Sequence, residues 1–145
     1  MAGETSVPAF DSDIRLTLPA RPENVAVVRQ VVDALAEALA LPDSVSEDMR
    51  LAVTEACSNV VRHAYNGEEG TIDVIVQPIE DALEVTVSDA GRGVGPSPDS
   101  AGPGLGLSLI AALTDTLEVE RSLESGSRIV MSFVRSRTTP SMGLA

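Results

Sequence analysis

Two hydrophobic periods alternate along the chain, and each change of period marks a new element. Asp13 to Leu18 alternates polar and apolar residues, which predicts a β-strand. From Pro22 the period lengthens. Val25, Val28, Val32, Leu35 and Leu39 recur every three or four residues, an amphipathic helix that Leu41-Pro42 ends. Ser44 and Glu47 have the spacing of a capping box, predicting a second helix from about Val45 to Ala64, closed by the stretch NGEEG. Thr71 to Gln77 and Leu83 to Ser88 return to alternation and are joined through Pro78 to Ala82. Asp89 to Gly106 is rich in Gly, Pro, Ser and Asp and reads as a long loop. Leu105 to Thr114 reads as a short apolar helix, and Leu117 to Arg121 with Arg128 to Val134 as a second hairpin. The order β-α-α-β-β-α-β-β predicts an α+β fold. Its form is a two-layer sandwich, a mainly antiparallel mixed sheet covered on one face by three helices. Residues 13–135 are expected to form one domain, with an N-terminal tail over 1–12 and a disordered C-terminal tail over 136–145.

Composition narrows the function. Hydrophobic residues make up 43% of 145 and aromatics only 2%, so aliphatic side chains must fill the core. One cysteine excludes an internal disulfide and any multi-cysteine metal site. Ten arginines and no lysine face 22 acidic residues, a net charge of −12. That balance argues against direct nucleic-acid binding, and the missing lysine removes the Walker A loop and Schiff-base chemistry. No apolar run reaches the roughly 18 residues that span a bilayer, and the N-terminus lacks a signal-peptide pattern. The expectation is a cytoplasmic protein without a membrane partner.

The candidate chemistry begins in the second helix. Glu55 and Asn59 stand four residues apart and share one face, although Ala52, Val53, Ala56, Val60 and Val61 around them are apolar. Arg62 and His63 follow, His63 reading as a partly buried residue at the helix end. Two glycine-rich stretches come next. DAGRGVGP leaves a strand and GPGLGLSLI enters a helix, but neither has the GxGxxG spacing, and the hairpins lack a parallel βαβ unit. Gly104 and Gly106, at a helix start, suit an anion held by unpaired backbone N–H groups; a plain flexible helix entry is the competing reading.

Taken together, Glu55-x-x-x-Asn59 followed by His63-Ala64-Tyr65, then Asp89-x-Gly91-x-Gly93, then Gly104-x-Gly106 resemble the N, G1 and G2 boxes of the GHKL ATPase superfamily. The short form with this helix looks most like the bacterial anti-sigma-factor serine/threonine kinases. The resemblance covers about residues 13 to 134 and implies a Bergerat-type ATP-binding fold using ATP and Mg²⁺. It implies that Asn59 binds Mg²⁺ through its amide oxygen and that Glu55 is the general base. It further implies that Asp89 accepts a hydrogen bond from the adenine amino group beside Gly91 and Gly93, and that Ser127 stands where the family has a threonine. Gly104, Leu105 and Gly106 complete the nucleotide site, and Arg62 or Arg92 would contact phosphate or partner, with Arg62 merely facing water as an equal alternative. The implied partners are a sigma factor and a STAS-type antagonist of the anti-sigma factor, acted on by a homodimer. The segment between Gly95 and Gly104 carries no Arg or Lys, where family kinases often place a cation. That departure keeps a second reading open: a non-catalytic nucleotide-binding module acting by contact, such as a phosphatase co-activator. A catalytic fragment of a histidine kinase is disfavoured because the only histidine is His63.

Overall fold

A computed structural model describes residues 13–91, 102–122 and 124–136. The expected tails, save Ser136, lie outside these residues, as do Arg92, Gly93 and most of the glycine-rich segment before the third helix. The elements run β1 (Ile14–Pro19), α1 (Pro22–Ala38), α2 (Asp43–Asn59), a π-turn (Val60–Ala64), β2 (Thr71–Ile79), β3 (Ala82–Asp89), α3 (Gly102–Leu113), β4 (Thr116–Ser122) and β5 (Gly126–Val134).

The strands form one sheet in the order β1-β2-β3-β5-β4. All four neighbouring pairs are antiparallel. Because β5 runs against both β3 and β4, those two strands run in the same direction, and α3 crosses from one to the other. Pro78 sits in β2 beyond the last β1 pair, Ile14 with Val76, so its missing N–H leaves no gap in the β1 ladder. Alternation assigns the faces. Leu16 and Leu18 of β1, Ile72, Val74 and Val76 of β2, Leu83, Val85 and Val87 of β3, and Ile129, Met131 and Phe133 of β5 point at the helices. The other face is mixed, with Ile75 and Val130 flanking Thr86, Thr17 donating to Asp73 at 2.6 Å and Arg128 paired with Glu120 at 3.3 Å.

Helix α2 is the centre of the helical layer. It lies over β3 and β5, with α1 on one side and α3 on the other. Val45, Met49, Ala52, Val53, Ala56 and Cys57 are each at most 1% exposed, so its inner face is covered along its length. At roughly 25 cal/mol per Å² of apolar area, such burial is the main favourable term holding the layers together. No helix among the described residues is long and apolar enough to cross a membrane.

Three boundaries differ from the sequence expectation. The capping box does not form. Pro42 in extended geometry (φ −57°, ψ 149°) is the N-cap, Asp43 is the first helical residue, and no side-chain bond caps the turn. Ser44 and Glu47 therefore lie inside α2, with Asp43 facing the positive end of the helix dipole. The last turn of this helix is π rather than α. Helix α3 starts at Gly102, so Gly104 and Gly106 lie within it rather than before it. The fully buried Ile110 and partly buried Leu107 and Leu113 anchor α3 on the core, and this packing outweighs the poor helix propensity of glycine.

Helix α1 closes through Leu41 N–H on the Ala36 carbonyl (3.0 Å) and Ala40 N–H on Glu37 (3.1 Å), a Schellman-type turn. It puts Ala40 at φ 53°, a left-handed conformation that costs an L-residue about 1–2 kcal/mol. Ala40→Gly is therefore expected to stabilise the fold by about 0.5–1 kcal/mol, read as a higher denaturant midpoint with an unchanged slope. Burial pushes the Cys57 thiol up to about 12. At pH 8 a disulfide reagent should leave native protein unmodified and label one thiol only after unfolding. The sign of the linkage also follows. The folded state keeps the thiol proton more tightly, so stability is full below the ordinary thiol range and falls as pH rises from about 9 towards 12.

Candidate active site

The polar stripe on α2 meets α3. Glu55 and Asn59 are both partly exposed, on the flank of α2 away from its fully buried face. A Cβ on Gly106 would stand 2.8 Å from Glu55 Oε2 and 3.1 Å from Asn59 Nδ2. Without a side chain at Gly106, α3 comes this close to the carboxylate and carboxamide as they are placed. The structure thus joins the first and third candidate motifs directly. Arg62, one π-turn further on, places Nη2 3.4 Å from Glu55 Oε2 and its Nε–H 3.5 Å from the Ser58 carbonyl. The Glu55 side chain is 25% exposed and the arginine 55%, so solvent screens this pair and it adds little to stability. Its effect is positional: Arg62 on one side and Gly106 on the other flank the carboxylate.

The second motif lies at the ends of β3 and β5. Asp89 is buried, 7% exposed, and each of its oxygens has a partner. Oδ1 accepts the Gly91 N–H at 2.9 Å, an Asx-type turn, and Oδ2 accepts the Ser127 hydroxyl at 2.6 Å. Asp89 and Ser127 are register partners, as are Ser127 and Arg121, so the three residues form a row across β3, β5 and β4. Two glycines make this corner possible. Gly126 has φ 91°, and a Cβ there would overlap the Asp89 carbonyl; a Cβ on Gly91 would overlap the Ala64 carbonyl at the end of the π-turn.

A cavity of about 480 Å³ opens at this end of the sheet, with Asp89, Arg121, Ser125, Ser127 and Arg128 in its lining. Its volume is in the range of small-molecule sites. Neither Glu55 nor Asn59 lines it. Residues 92–101, which lead in sequence from the Asp89 corner to α3, lie outside the described residues. Arg92 and Gly93 belong to that segment. Gly104 and Leu105 fall within the first turn of α3, where backbone N–H groups lack intrahelical acceptors. His63 is half-buried in the π-turn, as expected of a helix-end residue.

Sequence reasoning missed three residues of this region. Arg121 became visible only through strand register, which carries it to the Asp89 row. Gly126 precedes Ser127 in a pair that suits an ordinary turn, and its contact with Asp89 requires knowing that β5 pairs with β3. Tyr65 has no task evident from the motif that contains it, yet its hydroxyl accepts the Ala90 N–H at 2.9 Å and donates to the Thr71 carbonyl at 2.7 Å.

A metal bound here would depend on few protein ligands. No group of three or more His, Cys, Asp or Glu suited to a metal occurs among the described residues. The Asn59 amide oxygen is a donor of the type Mg²⁺ accepts, and Mg²⁺ commonly takes one or two protein oxygens with phosphates and water. The donor set fits that ion when nucleotide is present.

Comparison with known proteins places the fold. The sequence profile of the histidine kinase-like ATPase domain matches residues 18–133. Serine-protein kinase RsbW of Halalkalibacterium halodurans is 37% identical, over 82% of this chain and 81% of its own. A serine-protein kinase RsbW of Bacillus cereus is 33% identical over 82% of each chain. Among solved structures, the RsbU and RsbW domains of Rv1364c from Mycobacterium tuberculosis superimpose with a TM-score of 0.71 at 21% identity. That match covers 88% of this chain but only 34% of the longer one, and it shows a shared fold. The chain belongs to the histidine kinase-like (GHKL) ATPase family, among its serine/threonine protein kinases.

Proposed function

We propose that the protein is an anti-sigma factor and ATP-dependent kinase. In this reading it binds a sigma factor and phosphorylates a serine or threonine on a small STAS-type antagonist protein. The observation that carries it is the meeting of Glu55 and Asn59 with Gly106, a carboxylate and a carboxamide oxygen beside the first turns of a helix. The relatives named as serine-protein kinases support the acceptor chemistry. The working unit would be residues 13–135, acting as a homodimer in the cytoplasm.

Each residue then has a task. Asp89, fixed by Gly91 and Ser127, keeps further lone pairs for the 6-amino group of adenine. Gly93 and Arg92 extend that side of the site. Gly104 and Leu105, in the first turn of α3, would offer backbone N–H groups and the positive end of the helix dipole to the phosphates, with Gly106 one turn on leaving room beside them. Asn59 offers an oxygen to Mg²⁺, which when bound neutralises phosphate charge. Glu55 takes the proton from the acceptor hydroxyl. The hydroxyl oxygen bonds to the γ-phosphorus as the bond between that phosphorus and the ADP oxygen breaks. Arg62 steadies the Glu55 carboxylate and is the described cation nearest to it.

The test is phosphoserine or phosphothreonine formation on the antagonist with Mg-ATP, alongside calorimetry of nucleotide binding. Glu55→Gln is expected to lower the transfer rate by about 10²–10⁴-fold with ATP affinity nearly unchanged. Asn59→Ala is expected to abolish the gain in ATP affinity that Mg²⁺ brings. Wild-type protein that binds Mg-ATP and transfers nothing would instead be the regulatory module acting by contact, and absence of binding would defeat the kinase reading.

A further inference from the structure

Tyr65 is the single tyrosine of the chain, and it follows directly on the π-turn. Its ring lies against Gly70, where any Cβ would collide with it. Its hydroxyl uses one donor and one acceptor function: it donates to the Thr71 carbonyl at the start of β2 and accepts the Ala90 N–H at the end of β3. Ala90 is the residue after Asp89. Its other neighbour, Gly91, rests on the Ala64 carbonyl and donates its own N–H to Asp89 Oδ1. Residues 64 and 65 therefore grip residues 90 and 91 at two adjacent points, while Ser127 and Gly126 hold Asp89 from β5. A phenylalanine would fill the same space and keep the ring contact, yet it would leave the Ala90 N–H and the Thr71 carbonyl without their common partner. That difference points to a task for the hydroxyl itself.

We propose that Tyr65 is a positioning residue for base recognition: its hydroxyl fixes the backbone that aims the Asp89 carboxylate at the purine. This rests on the reading that Asp89 receives the adenine 6-amino group. The coupling has a short physical path. Asp89 Oδ1 is oriented by the Gly91 N–H, and the peptide preceding that amide group is the one whose own N–H, at Ala90, is held by Tyr65. Releasing the Ala90 end frees this loop to rotate, and the carboxylate rotates with it. The π-turn belongs to the same device, since it sets where the Ala64 carbonyl and the Tyr65 ring fall at the end of α2. Tyr65 would touch no nucleotide; it would act through Asp89.

A purely structural tyrosine and a positioning one give different signatures with two nucleotides. Calorimetry would compare ATP with purine riboside triphosphate, which carries hydrogen in place of the 6-amino group, on wild-type protein and on Tyr65→Phe. Wild type is expected to prefer ATP by about 10-fold or more, the usual effect of a hydrogen bond to a charged group. Tyr65→Phe is expected to reduce that preference at least threefold, mainly through weaker ATP binding. Equal loss of affinity for both nucleotides, or an undiminished preference, would overturn the positioning role and leave the Asp89 reading intact. A wild type indifferent to the 6-amino group would overturn the Asp89 reading and the inference together. Should Tyr65→Phe fail to fold, 3-fluorotyrosine can be placed at this single tyrosine with the hydroxyl retained. Its ¹⁹F resonance should then move more with ATP than with the purine analogue, and identical shifts with both would refute the proposal.

Discussion

The structure depends on how closely α3 can lie on α2. Helix α2 is committed on its inner face, where residues from Val45 to Cys57 are packed against β3 and β5. Its polar stripe must then find room on a flank, and that flank is where α3 docks. Glu55 and Asn59 hold their places there against a Gly106 that has no side chain. A methyl group at that position would stand 2.8 Å from a carboxylate oxygen, so the helix would move outward or the carboxylate would turn away. Glu55 is flexible and 25% exposed, so turning away is the cheaper response, and it would carry the carboxylate from its place beside Arg62. The glycine thus ties the geometry of the site to the packing of the helical layer.

The same logic recurs at the other cluster, with backbone in place of side chains. Asp89 lies where β3, β5 and the end of the long helix converge. Gly126 lets β5 pass its carbonyl, and Gly91 lets the loop rest on Ala64. Two glycines at backbone contacts and one at a side-chain contact leave little freedom for the residues between them. A buried carboxylate needs hydrogen bonds to persist in such a place, and Asp89 has one on each oxygen. The sheet supplies one of these partners by register: Ser127 stands opposite Asp89 because β5 pairs with β3. Fold and site are continuous at that point, since a one-residue slip of β5 would turn Ser127 to the far face.

Much of this was legible in the amino-acid sequence because it follows from period. The eight elements, the α+β class and the mainly antiparallel sheet come from alternation in the strands and the three-to-four spacing in the helices. The Glu55–Asn59 stripe is local, and so it too could be read directly. What could not be read is non-local or contextual. The π-turn at Val60–Ala64 has no compositional mark, since its residues suit an ordinary helix equally well. The capping box at Ser44 was a correct pattern in the wrong place, because Pro42 already sets the extended geometry from which α2 begins. Helix α3 begins earlier than its glycines suggest, since packing decides where propensity is weak. Tyr65, Gly126 and Arg121 gain meaning only once strand register brings distant residues together.

Charge imposes the last constraint. A chain of net charge −12 repels a polyanionic nucleotide at long range, so the attraction must come from groups beside the ligand. At physiological ionic strength the screening length is about 8 Å, which confines the repulsion from most of the 22 acidic residues to their own surroundings. Local arrangement therefore outweighs net charge. Arg62 stands at the Glu55 end, and Arg121 stands at the cavity beside Asp89, where Arg128 is already paired with Glu120. Arginine suits these positions better than lysine would, because its charge persists and its planar fork can hold a carboxylate and turn to a phosphate without losing donors. Arg62 is already held by Glu55, so an incoming phosphate would compete with that carboxylate for the same guanidinium. Under the proposed function, the pair would link charge on the nucleotide to the orientation of the Glu55 carboxylate.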